Sequence, residues 1–157
     1  MTGTPATTAL QRRGVAFTPH TYEHDPSTAS FGLEAAQALG VDPARVFKTL
    51  VVALDSGALA VAVVPVSSSL DLKAVAGALG AKKATMADPG AAERSTGYVR
   101  GGISPLGQRK RLPTVIDESA FAHATLLVSG GRRGFDIELA SDDLAALTGA
   151  VRAAISR

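Results

Sequence analysis

The chain has 157 residues, 46% of them hydrophobic and 19% charged, with 16 Lys and Arg against 14 Asp and Glu. That length and apolar share predict one compact domain over residues 1–157 with a real core, and they exclude the disordered class. Cysteine is absent and only 4% of residues are aromatic, so disulfides, thiolate zinc sites and a cysteine nucleophile are ruled out and aliphatic side chains must build the core.

No apolar run approaches the roughly 18 residues that a membrane helix needs. The polar start MTGTPATTALQRRG lacks the apolar stretch of a secretory signal, and the expectation is a soluble, cytoplasmic protein with no membrane contact. Residues 5–13 read as a short helix ending at Gly14, and Val15–Tyr22 as a strand running into the turn at Asp25-Pro26. A helix near 30–39 follows, with Ser30 as N-cap and Gly40 at its end, and Asp42-Pro43 starts a further single turn.

The runs VFKTLVVAL and ALAVAVVPV, separated by Asp55-Ser56-Gly57, are the strongest hairpin signal in the chain and predict the centre of the sheet. In LDLKAVAGALG, Leu72, Val75, Ala76 and Leu79 share one helical face, with Ser68 or Ser69 available as cap and Gly80 as terminator. Asp88-Pro89 opens a short helix through Arg94, and TVID, TLLVSGG and FDIEL supply further strands. Ser141 begins a last helix with Leu144, Leu147, Val151 and Ala154 on one face. Helices interspersed irregularly with hairpin-forming strands predict an α+β fold with a mixed, mostly antiparallel sheet.

A period of two along VFKTLVVAL puts Lys48 on the face of Val46, Leu50 and Val52, where it is the only charge in a core run. Burying an isolated ammonium costs several kcal/mol, so Lys48 must reach water, pair with a carboxylate or face a cleft. FDIEL places Asp136 and Glu138 on the face opposite Phe135, Ile137 and Leu139. If that face lines the same cavity, Asp136 is the natural counter-ion of Lys48; otherwise it is the wet face of an ordinary sheet.

Familiar catalytic patterns are missing. Ser104 has Gly102 and Leu106 two residues away, so it sits in no nucleophile elbow, and there is no phosphate-binding loop ending in Gly-Lys-Ser/Thr. His20, His24 and His123 lack the spacing of metal ligands, and no metal or cofactor is expected. What remains is GYVRGGISPLGQRKRLP, residues 97–113, with Gly101-Gly102 inside it, and a second pair, Gly130-Gly131. Such loops either make tight turns or expose backbone N–H groups to a ligand. The basic clusters Lys82-Lys83, Arg109-Lys110-Arg111 and Arg132-Arg133 are solvated faces unless they converge, in which case they form a footprint for a polyanion.

The segments VFKTLVVA, LDLKAVA, KKATMADP, ERSTGYVRGGISPLGQRKRLPT and VSGGRRGFDIEL resemble, in order and over about Tyr22 to Leu144, the YbaK/EbsC family of aminoacyl-tRNA deacylases. These are relatives of the editing domain of bacterial prolyl-tRNA synthetase. The resemblance implies a barrel-like mixed sheet with flanking helices and a pocket for the 3′ end of a mischarged tRNA. It implies hydrolysis of cysteinyl-tRNA(Pro), with cysteinyl-tRNA(Cys) as a further substrate, assisted by the substrate's own thiol. Lys48 then matches the lysine associated with activity. Tyr22, Phe31, Thr49, Gly101 and Gly102 match pocket residues, as do Ile103, Ser104, Ser129 and Asp136. The implied partners are aminoacylated tRNA(Pro) and prolyl-tRNA synthetase, with no DNA. Alternatives are a deacylase for another ester such as alanyl-tRNA(Pro), a non-catalytic module binding tRNA or synthetase, and a small-molecule binder.

Overall fold

The structure, a computed structural model, describes residues 3–28 and 30–157. Among these the helices are α1 (Pro5–Arg12), α2 (Phe31–Leu39), α3 (Leu72–Ala78), α4 (Pro89–Thr96) and α5 (Ser141–Thr148). The strands are β1 (Thr18–Thr21), β2 (Phe47–Leu54), β3 (Leu59–Pro65), β4 (Ala84–Met86), β5 (Thr114–Asp117), β6 (Thr125–Arg132), β7 (Phe135–Ala140) and β8 (Val151–Ala153). They form a five-stranded sheet in the order β4-β2-β3-β5-β8 and a three-stranded sheet in the order β1-β7-β6. The fold is α+β. Most pairs are antiparallel, but β5 pairs in parallel with both β3 and β8. Two sheets linked by a parallel bridge between Val46 and Leu127 take the place of one closed barrel.

Alternation along the central strand explains the layers. Val61 and Val63 of β3, with Phe47 of β2, face Leu126, Val128, Phe135 and Ile137 of the smaller sheet, forming the main core. Ala60, Ala62 and Val64 point the other way, onto Val75 of α3 and Ile155. Every residue of β3 from Ala60 to Pro65 is buried, as expected for a strand covered on both faces. A third cluster packs Ala35 and Ala36 of α2 onto Val46, Val66 and Leu127, so α2 lies over the junction of the sheets.

Several local expectations are corrected. The strand read from Val15 begins only at Thr18, because the Val15 N–H turns back to the Leu10 carbonyl and closes α1. Ser30 occupies the N-cap of α2, but its hydroxyl makes no capping hydrogen bond. Asp71, not Ser68 or Ser69, caps α3 by accepting the Ala74 N–H at 3.0 Å, and that helix closes at Leu79, one residue before Gly80. The last helix does not run to Ala154. Gly149 adopts φ +64° and terminates it, and Val151–Ala153 extends as β8 beside β5. Strand β4, unread in KKATMADP, adds to the edge of β2 through Val52 opposite Met86.

Asp117 ties the C-terminal segment to this frame. Its buried carboxylate accepts the Ile155 and Ser156 N–H groups on one oxygen and the Ser119 N–H and hydroxyl on the other. Burial alone would raise its pKa, but the hydrogen bonds from Ser119 and Ile155 outweigh burial and hold it below the ordinary carboxylate value. Its contribution to stability is therefore present above about pH 4 and lost as pH falls through the depressed folded-state value. Asp117→Ala should destabilise the protein by about 2–4 kcal/mol at pH 7 in urea denaturation. The deficit relative to wild type should shrink below about pH 4; a loss under 0.5 kcal/mol, by the usual scale of surface changes of about that size, would refute the role.

Candidate active site

The N-terminal half of β2 borders a cleft of about 340 Å³, and residues from both faces of the strand line it. Its other walls come from α2, the start of α4, the loop at 100–103 and the facing ends of β6 and β7. Lys48, opposite Val64 on β3, is half-buried here. Desolvation lowers its pKa. Among the described residues no carboxylate lies within ion-pairing distance of it.

Asp136 lines the same cleft, flanked in register by His20 on β1 and Ser129 on β6. It is not the counter-ion of Lys48. A carboxylate beside an ammonium is held low, whereas burial pushes Asp136 up to about 7. Its electrostatic neighbour is Tyr22, whose phenol is raised to about 12 by burial and then by the Asp136 charge. Nor is the polar face of β7 simply wet. Asp136 is buried, while Glu138 is held by Thr125, His20 and Arg45 at 2.6, 2.9 and 3.1 Å.

Thr49 is the next residue of β2; it lines the cleft, and its hydroxyl is buried. Among the described residues it is the one buried side-chain polar atom without a hydrogen-bond partner. Leaving such a group unpaired costs on the order of 1–3 kcal/mol, and a ligand with a donor or acceptor at that position removes the cost.

The glycine loop is built for close packing. Gly101 has φ +84°, and a Cβ there would lie 2.9 Å from the Phe31 ring and 2.8 Å from Arg133 Nε. Arg133 covers the Phe31 ring at 4.9 Å and donates to the Arg100 carbonyl at 2.8 Å, so α2, the loop and the β6–β7 hairpin are clamped at one point. Gly101, Ile103, Phe31, Tyr22 and Ser129 all line the cleft. Gly102 and Ser104 do not. The Gly102 N–H is committed to the Val99 carbonyl, and its α-carbon abuts the Arg132 backbone, where a Cβ would come within 2.7 Å. Ser104 is fully buried, its hydroxyl accepting the Leu106 N–H. The pair therefore shapes the loop and leaves contact with a ligand to its neighbours.

Arg100, Glu93 and Met86 also line the cleft and went unread in the sequence. Glu93 accepts the Arg100 N–H at 2.9 Å, fixing the entry to the loop, and Met86 is half-exposed at the rim. The basic clusters do not converge. The Lys82 and Lys83 N–H groups bond Asp55 at the tip of the β2–β3 hairpin, whereas Arg132 and Arg133 lie over Phe135 and Phe31 beside the glycine loop.

Residues 25–147 match the model of the aminoacyl-tRNA editing domain. The chain belongs to that family. It is 43% identical over 113 residues, 72% of its length and 69% of the relative's, to EbsC of Enterococcus faecalis, described as a proposed Cys-tRNA(Pro)/Cys-tRNA(Cys) deacylase. Among solved structures it superposes on a proposed trans-editing enzyme for prolyl-tRNA synthetase with a TM-score of 0.82 at 26% identity, covering 98% of this chain and 95% of that one. APE2540 superposes with a TM-score of 0.87 at 25% identity, covering 98% and 100%. The protein is accordingly an aminoacyl-tRNA deacylase, and its substrate is an aminoacylated tRNA.

Two predictions follow from the cleft's polar groups. Thr49→Val should leave stability unchanged or raise it by about 1 kcal/mol, since it deletes an unpaired buried hydroxyl at constant shape, while lowering deacylation; a clear loss of stability would show the hydroxyl to be paired. Asp136, whose folded-state value is raised, contributes stability present below about pH 4 and lost as pH rises through about 7. Asp136→Asn should therefore gain on wild type as pH rises from 4 to 8, by up to about 4 kcal/mol. Parallel stability curves for the two proteins over that range would contradict the assignment.

Proposed function

We propose that the protein hydrolyses the ester of cysteinyl-tRNA(Pro), and of cysteinyl-tRNA(Cys), as a free-standing editing enzyme in the cytoplasm. The observation that carries the reading is the character of the cleft's polar groups: an ammonium without a carboxylate and an idle hydroxyl, with no activated protein nucleophile. Among the described residues no histidine lines the cleft, and the Ser129 hydroxyl accepts the Gly131 N–H at 3.2 Å and makes no hydrogen bond to Asp136, the carboxyl opposite it in register. The attacking group must then come from water or from the substrate.

A cysteinyl ester brings its own. Its thiol sulfur attacks the ester carbonyl, the S–C bond forms, the C–O bond to the ribose breaks, and the thiol proton passes to the departing ribose oxygen. Water then opens the resulting thioester to free cysteine. An ester is labile enough that positioning and stabilisation of the developing oxyanion supply the needed acceleration. Lys48 serves as an electrostatic anchor for the terminal phosphate or ribose, because a charged ammonium close to the amino acid would repel its α-ammonium. Thr49 donates or accepts at the aminoacyl end, and Phe31, Gly101 and Ile103 wall it in.

A cleft of this size reads the aminoacyl end and little of the tRNA. Selection of tRNA(Pro) then falls to a partner, prolyl-tRNA synthetase, a reading supported by the superposition on a protein described as acting in trans for that synthetase. Lys48→Ala should keep the fold, since the side chain is half-buried and makes no ion pair, while deacylation of cysteinyl-tRNA(Pro) falls by about 100-fold or more. Near-normal turnover in a folded Lys48→Ala protein would overturn the role of Lys48. Release of alanine in preference to cysteine from the two tRNA(Pro) esters would move the substrate to alanyl-tRNA(Pro).

A further inference from the structure

A second recess, of about 220 Å³, opens where the C-terminal end of α1, the loop at 105–112 and the end of α5 meet. Its charged lining is entirely basic: Arg13, Lys110 and Arg111, with Gln108, Thr114 and Thr148 as polar neighbours. All three cations are exposed, and among the described residues none forms an ion pair. Arg12 and Arg109 stand next to them in sequence and are also exposed. Five cations and no anion in two short segments is a strong local imbalance for a chain whose net charge is only +2.

The recess is braced. Gly107 packs directly onto the Pro5 backbone, and the Lys110 N–H donates to the Ser95 carbonyl at 3.0 Å. The Gln108 side chain donates to the Ser104 carbonyl at 2.9 Å, and the Arg111 guanidinium rests against Gly149, at the C-cap of α5, where the helix dipole favours a cation. Cations presented on a fixed frame lose little freedom on binding an anion.

The same loop serves the cleft. Ile103 lines the aminoacyl cleft and Pro105 lines the basic recess, and two residues span at most about 7 Å. The two linings therefore adjoin along this loop. We propose that the recess formed by Arg13, Lys110 and Arg111 is a second anchor for the substrate's polynucleotide, holding one or two backbone phosphates of the tRNA outside the catalytic cleft. The inference rests on the proposed function for its ligand. Phosphate contacts of this kind position a nucleic acid without reading its bases.

The test is binding of uncharged tRNA to the full chain, which requires no hydrolysis. In Arg13→Gln/Lys110→Gln/Arg111→Gln, affinity at 0.15 M salt should fall about tenfold and the slope of log affinity against log salt should flatten by about 1 to 2. The KM for cysteinyl-tRNA should rise in step while kcat holds, and hydrolysis of a 3′-cysteinyl-adenosine ester, which has no backbone phosphate, should be unchanged. A charge-retaining Arg13→Lys/Arg111→Lys protein should bind as wild type. Wild-type affinity and slope in the triple variant would overturn the proposal, as would equal weakening in the charge-retaining variant. Unchanged tRNA binding by the triple variant together with loss of the wild type's binding to poly-glutamate would assign the recess to an acidic protein and overturn it as well. If the wild type cleaves no cysteinyl ester, the proposed function fails while uncharged tRNA still decides the recess.

Discussion

Strand β2 serves two cores at once, and the rest of the molecule is arranged around that constraint. Phe47 is buried on the side of the smaller sheet, while Val52 belongs to the layer beneath α3. Just before the strand, Val46 bridges to Leu127 and is roofed by α2. The first residues of β2 are thereby held at the junction of both sheets and a helix. Lys48 and Thr49 sit at that junction, and their backbone cannot shift without disturbing three packed clusters.

That rigidity permits polar groups to stand unsatisfied. Thr49 keeps a buried hydroxyl without a partner, Lys48 keeps a partly desolvated charge without a carboxylate, and Asp136 is buried enough to hold its proton near neutral pH. Each is unfavourable in the free protein. Under the proposed function, an aminoacyl ester on a ribose and phosphate relieves the first two directly, and part of its binding free energy comes from groups the fold leaves poorly solvated. The clamp of Arg133 over Phe31 and Gly101 keeps the opposite wall in place without adding side chains to it.

The sequence was most legible where periodicity and turn chemistry agree. The β2–β3 hairpin, the α3 stripe and the odd position of Lys48 were all readable from spacing. What spacing could not show was direction in space. Asp136 and Lys48 do share a cleft, yet the cleft separates their charges. Gly101 and Gly102 look alike in sequence, but one faces the cleft and the other is pressed on the Arg132 backbone. Asp71 displaced two serines as cap because the Leu70–Ser156 bridge fixes where the chain turns into α3. Strands β4 and β8 are three residues each and carry no alternation of their own; they exist because a neighbouring edge was available. Glu93, Arg100 and Met86 gave no signal, since a residue of a short helix, a loop or an edge strand becomes a site residue only through what the fold sets opposite it.

The account's central claim is that the 3′ end of the substrate binds with its phosphate or ribose at Lys48 and its aminoacyl group at Thr49. The most direct test is a crystal structure with a non-hydrolysable amide analogue of 3′-cysteinyl-adenosine monophosphate. The account predicts the phosphate or ribose at Lys48 Nζ, the Thr49 hydroxyl in a hydrogen bond to the aminoacyl group, and Asp136 without an ion pair to Lys48. An analogue bound elsewhere, with the Thr49 hydroxyl still unpaired, would contradict it.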